Sequence, residues 1–280
     1  MKLKFIIIGL SAIFLIFNCQ KQLEEKKEKD KNFEKEIIDT YLKNGAWKHH
    51  YLTKEWDEWI NKALEKDTTI ALLWQNKAIP FWKQGKYQLA TEYYNKAVKL
   101  DRKKWLSRLG FLKCIFAKDY KSALIDLINY KKEFGSIYEQ DHPLEFYMGI
   151  CYLQLNQYEK ALKVLQEDVI NQEKDNGKDW VHFLDRFYLA ITHYELGNYN
   201  NAITEFDAVL KEYPNFSDAQ YYKSLSLNYL GKTELAKKLV YQGRTNFENG
   251  ITISEDSSLY EVYPYQVTWQ WNNIDSIFKF

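Results

Sequence analysis

A short pattern recurs along the chain and limits the folds open to it. Asn198-Tyr199-Asn200-Asn201-Ala202-Ile203 returns as Gln157-Tyr158-Glu159-Lys160-Ala161-Leu162, as Lys86-Tyr87-Gln88-Leu89-Ala90-Thr91 and as Asp119-Tyr120-Lys121-Ser122-Ala123-Leu124. A weaker copy is Lys232-Thr233-Glu234-Leu235-Ala236-Lys237. Each copy sets Tyr or Thr three residues ahead of an Ala and follows a helix-length run rich in aromatics. One such unit cannot bury its apolar face alone, so a series of them must stack into a shared core. With only 4 Pro and 11 Gly, the chain holds few residues that break helices. The expectation is an all-α fold.

These residues resemble the tetratricopeptide repeat, a helix–turn–helix unit of about 34 residues. The best copy, 183–216, carries Ala190, Gly197, Tyr199, Ala202, Phe206 and Pro214. Copy 71–104 has Trp74, Ala78, Phe81, Gly85, Tyr87, Ala90, Tyr94 and Ala97, and copy 142–175 has Gly149, Tyr152, Tyr158, Ala161 and Leu165. Copies at 104–137 and 217–250 are more degenerate. In a first copy near 37–70, Trp47 and Ala63 fit, but Trp56 stands where a small residue is expected. Small residues let two helices cross closely while large ones fill the space beside them. The resemblance implies a right-handed superhelical array of antiparallel helix pairs, with five to six repeats over 37–250. The Ala spacing is uneven, so insertions are expected near Gly135–His142 and Asn171–Asp179.

Residues 1–18 read as a lipoprotein signal peptide. Lys2 and Lys4 form a basic start, and the apolar stretch Phe5 to Phe17 is too short for an ordinary spanning helix. Ile16-Phe17-Asn18-Cys19 resembles a bacterial lipobox, with Asn18 and Phe17 bulkier than the usual residues. The resemblance implies that Cys19 is lipidated and that the chain is held on a membrane of the cell envelope, the outer membrane being the expected one. Residues 19–36 mix lysines with acids and read as a solvated tether.

Net charge is +1, from 39 basic and 38 acidic residues, which gives no reason to expect nucleic acid as a partner. No Gly-rich phosphate loop and no Gly-x-Ser-x-Gly elbow occurs. His49 and His50 are adjacent and diverge on a helix, and His142, His182 and His193 lack metal-ligand spacing. No catalytic residue, metal or cofactor is expected. Cys114 and Cys151 fall at nearly the same place in adjacent repeats; they read as small buried hydrophobes, with a disulfide in an oxidising compartment as the alternative, although adjacent repeats are expected to hold such positions apart.

What remains is surface. The resemblance places the inner, concave wall on the first helix of each pair, and puts Trp82, Phe116, Phe146, Phe187, Tyr194, Tyr221 and Tyr229 on it. Such a wall is aromatic and lacks the Lys and Asn pattern of the family's carboxylate clamps. Residues 251–280 add Tyr260, Tyr263, Tyr265, Trp269 and Trp271 around Pro264, which bars a helix. They read as a short extended segment and a capping helix, or as a segment lying in the groove. The expected function is a membrane-anchored protein-interaction scaffold binding a peptide or envelope subunit. The alternatives are a glycan-binding lipoprotein and an immunity or inhibitor protein against a secreted toxin.

Overall fold

The computed structural model describes residues 28–177 and 180–278, so the signal peptide, Cys19 and the start of the tether lie outside the described residues. The described residues fall into two compact units, one ending at Leu100 and one starting at Asp101. Both are built of helices, apart from one two-stranded ribbon in the second.

In the first unit α1 spans 28–37 and runs into a π-helical turn, Ile38–Lys43. Helices α2 (Lys54–Lys66), α3 (Ala71–Lys83) and α4 (Tyr87–Leu100) follow. Thr53 caps α2 by accepting the amide of Trp56, so the helix starts where the sequence turns amphipathic. Ile37, Leu42, Trp56, Ile60, Ala63, Ile70 and Leu73 form one buried cluster. Pro80 lies inside α3 and has no N–H to give the carbonyl of Asn76. The indole Nε1–H of Trp56 reaches that oxygen at 3.3 Å. Trp56 therefore fills a place where the repeat calls for a small side chain because the neighbouring helix needs a donor there.

The second unit is a run of antiparallel pairs: α5 (Arg102–Ile115) with α6 (Tyr120–Phe134), α7 (Leu144–Gln154) with α8 (Tyr158–Asn176), α9 (Phe183–Glu195) with α10 (Tyr199–Glu212), and α11 (Ser217–Tyr229) with α12 (Thr233–Glu248). The turns share one left-handed residue, two places before the second helix. It is Gly197 (φ 72°) and Gly231 (φ 75°), but Lys118 and Asn156, both at 55°, in the other two. A β-carbon on Gly149 would stand 2.4 Å from Leu165, and one on Gly110 would stand 2.7 Å from Leu127. Gly110 lies one place ahead of the expected register because the α5–α6 turn is one residue longer than its counterparts.

The two expected insertions take different forms. Residues 135–143 hold a ribbon of β1 (Tyr138–Glu139) and β2 (His142–Pro143), paired antiparallel with Glu139 opposite His142. Arg108 Nε at 2.6 Å and Ser107 Oγ at 2.8 Å hold the buried Glu139 carboxylate, so α5 fixes the ribbon. The second insertion lengthens α8, which runs on to Asn176.

After α12 the chain turns back as a tail. It has a short 3-10 segment at Asp256–Leu259, another at Trp269–Asn273 and the last helix α13 (Ile274–Phe278). Ile253, Tyr263, Val267, Trp271, Ile274 and Phe278 of the tail are buried. The tail thus has its own apolar inner edge, as a sealing element requires.

Candidate functional site

Among the first helices of the second unit, α7, α9 and α11 carry five of the seven aromatic residues singled out from the sequence, Phe116 sits at the end of α5, and Trp82 lies in the first unit. Phe146 and Phe187 are fully buried between helices. The Phe146 ring stacks on His142 at 3.8 Å, and Phe187 packs on Phe206 at 6.0 Å and Phe216 at 5.3 Å. Phe116 and Tyr221 are buried under the tail, against Tyr260 at 6.3 Å and Trp271 at 5.1 Å. Tyr194 is half-buried, and Tyr229 is 62% exposed, stacked on Tyr199 at 4.6 Å. Trp82, in the first unit, is buried against Tyr87 and Tyr94. The aromatic wall of the second unit is thus largely covered, and the tail supplies much of the cover.

Contacts between wall and tail are made largely to backbone. Asp218, in the first turn of α11, is fully buried. Its Oδ1 accepts the amide of Val267 at 2.6 Å, and its Oδ2 accepts the amide of Ile253 at 3.1 Å and the hydroxyl of Thr252 at 2.8 Å. Burial pushes this carboxyl up to about 6, with the backbone and hydroxyl donors pulling the other way. Tyr188 of α9 donates its hydroxyl to the carbonyl of Pro264 at 2.7 Å. Lys118 donates its ammonium to the carbonyls of Ile115 and Val262, each at 2.5 Å, and burial lowers its pKa to about 8. Between these anchors the tail makes a tight turn, Gln266 N to Tyr263 O at 3.0 Å. Tyr265 takes a left-handed conformation there, φ 62°, and packs its ring on Tyr222 at 5.9 Å.

A second anchor is a buried charge network that the sequence did not reveal. His142 Nδ1 lies 2.6 Å from Asp185 Oδ1, and its Nε2 lies 3.7 Å from Glu255 of the tail. Gln172 of α8 donates to Asp185 at 2.6 Å and to Asp168 at 3.1 Å. Burial disfavours a charged His142, but its hydrogen bond to Asp185 and the charges of Asp185 and Glu255 outweigh it and raise the pKa to about 9. Asp168 is pushed up to about 8 by burial and by the Asp185 charge. His142, His182 and Asp185 offer ligand atoms within 4.8 Å of one another, so folding gathers histidines that look scattered in sequence. Asp185 is already bonded to His142 and Gln172, and the His182 ring accepts the amide of Leu184 at 3.3 Å as the cap of α9. This donor set serves structure. Beside it, Ser136, Tyr138, Glu145, Asp168 and Asp175 line a cleft of about 240 Å³.

Cys114 and Cys151 are closer than their repeat positions suggest. Both thiols are free and buried, Cys114 Sγ approaches Tyr147 O at 3.8 Å, and the Cys151 thiol is within hydrogen-bonding reach of Cys114. The expectation that adjacent repeats hold them apart is corrected: α5 and α7 pack side by side in the second unit and bring them together. Among the described residues no helix is long and apolar enough to cross a membrane.

Comparison with known proteins agrees with this architecture. Tetratricopeptide-repeat profiles match residues 71–104, 144–167 and 186–215. A search of curated protein sequences finds no match. A tetratricopeptide repeat protein from Parabacteroides merdae ATCC 43184 is similar in structure with a TM-score of 0.60 at 20% identity, covering 77% of this chain and 80% of that one. PilW, a widely conserved type IV pilus biogenesis factor, gives 0.57 at 16% identity over 78% of this chain and 93% of its own. YrrB, a TPR protein with an unusual peptide-binding site, gives 0.50 at 22% identity over 68% and 93%. These likenesses show the fold. The described residues are built as an all-α array of antiparallel helix pairs, and three stretches of it match the tetratricopeptide repeat.

Proposed function

We propose that this protein is a non-catalytic interaction scaffold of a bacterial cell envelope, tethered through lipidated Cys19, which binds a protein or peptide partner on the first-helix wall of its second unit. The observation that carries this reading is that the wall already accommodates a non-helical stretch of polypeptide. Its groups bond the main chain within residues 253–267, and its rings meet the rings of that segment. A surface built this way suits a peptide better than a sugar, because its polar groups are aimed at amides and carbonyls. YrrB shows a related array holding a peptide site. The tether reading draws on Cys19 directly behind an apolar run.

The test is photo-crosslinking in the envelope of the native host. A photoreactive phenylalanine at Tyr229 is expected to trap a discrete protein, whereas one at Ile125, on a second helix, is expected to trap none. Equal capture at both places, or none, would count against the scaffold. Separately, Cys19→Ser is expected to move the protein out of the membrane fraction.

A further inference from the structure

We infer that the tail is an exchangeable resident of the partner site, holding the wall of the second unit until a segment of the same chemistry displaces it. This rests on the scaffold reading above and names both the kind of partner and its regulation. That partner presents a turn-rich stretch of chain with backbone amides for Asp218, carbonyls for Tyr188 and Lys118, and aromatic side chains spaced for Phe116, Tyr222 and Tyr221.

Three observations support exchange over a permanent seal. First, the wall's polar groups grip the tail mostly through main-chain atoms: the amides of Ile253 and Val267 and the carbonyls of Val262 and Pro264. Every polypeptide carries those atoms, so these bonds do not discriminate between the tail and another strand. Second, the tail is strained where it crosses the wall. Tyr265 lies at φ 62°, a conformation that disfavours a bulky side chain. A displacing segment without that strain has the advantage. Third, the tail keeps apolar groups in water: Leu259 is 84% exposed, Trp269 64% and Val262 51%. Those side chains add nothing to the seal and lie open to an incoming partner.

The experiment titrates a fluorescent peptide of residues 251–271 into the full chain. Wild-type protein is expected to bind it weakly, because the resident tail competes. A full chain carrying Tyr260→Ala and Tyr265→Ala, which weaken the tail and leave the wall intact, is expected to bind at least tenfold more tightly. Adding Asp218→Asn to that chain is expected to undo the gain, with circular dichroism showing all three folded. Equal affinity for wild type and the tail variant would overturn the proposal. Amide hydrogen exchange of the unaltered chain decides the matter should the variant misfold. The Ile253 and Val267 amides are expected to exchange well before those of α7 and α9; exchange only on global unfolding would make the tail a fixed cap. A chain whose tail exchanges but which traps no partner in the envelope would instead fault the scaffold reading.

Discussion

The indole N–H of Trp56 donates to the carbonyl of Asn76, the oxygen that Pro80, four residues on, cannot serve. A buried carbonyl left without a donor costs about 1–3 kcal/mol. Trp56→Phe, which keeps a ring in place and removes the donor, is expected to lower stability by about 1–2 kcal/mol in urea denaturation. Adding Pro80→Ala restores an amide four residues beyond Asn76 and should recover part of that loss. An unchanged midpoint for Trp56→Phe would show that the bond contributes nothing.

Two buried groups, His142 and Asp168, are shifted in the same direction near neutral pH. His142 has its folded pKa raised from 6.5 to about 9, so its contribution is fully present below 6.5 and is lost as pH rises through 9. Asp168 is raised from 3.8 to about 8, so the native state favours its protonated form; that contribution is full below 3.8 and is lost as pH rises through 8. Both slopes run the same way, and the melting temperature is expected to fall between pH 6 and 8. Asp168→Asn holds the site neutral and should flatten the curve, its advantage over wild type growing with pH. Calorimetry at several values in this window checks it; a wild-type melting temperature that climbs with pH would contradict the assignment.

Gly149 and Gly197 answer to different physics. Gly149→Ala drives a β-carbon into Leu165 and is expected to cost about 1–3 kcal/mol, partly relieved by Leu165→Ala. Gly197 has open space around it but a left-handed backbone, so Gly197→Ala should cost about 1 kcal/mol and gain nothing from a smaller neighbour. Equal relief in both double variants would show that the two sites do not differ as the structure says.

Cys114 and Cys151 are buried, and burial drives the Cys151 thiol well above its ordinary range. In a chain with Cys19→Ser, a maleimide at neutral pH should label neither thiol until the protein is denatured, and then both. Labelling of the native chain within minutes would mean that the α5–α7 contact opens readily.

The repeat was legible because close helix packing leaves few choices. Ala90, Ala123, Ala161, Ala202 and Ala236 are all fully buried, and the Tyr or Thr ahead of each of the five begins a second helix, as at Tyr87, Tyr158 and Tyr199. The left-handed turn residues were legible where they are Gly85 and Gly197, and hidden where Lys118 and Asn156 take the same conformation. The aromatic wall could be placed on the first helices and the tail named as a cap or a groove segment, but the bonds that seat the tail could not be read. The bonds of Asp218 to Val267 and of Tyr188 to Pro264 join positions far apart in sequence, and no local period encodes them. The pairing of His142 with Asp185 stayed hidden for the same reason: two helices and a ribbon must stack before the residues meet.

Stacked repeats ordinarily touch only their neighbours, so an end module can fray while the rest holds. The bond from Lys118 to Val262 joins positions 144 apart, and the tail that carries it also bonds α9 and α11. With the tail seated, opening any one of these pairs strips contacts from the others, and the second unit should melt in a single sharp step. With the tail displaced, the same helices return to nearest-neighbour behaviour, and the unfolding transition should broaden, so its steepness reports which segment lies against the wall.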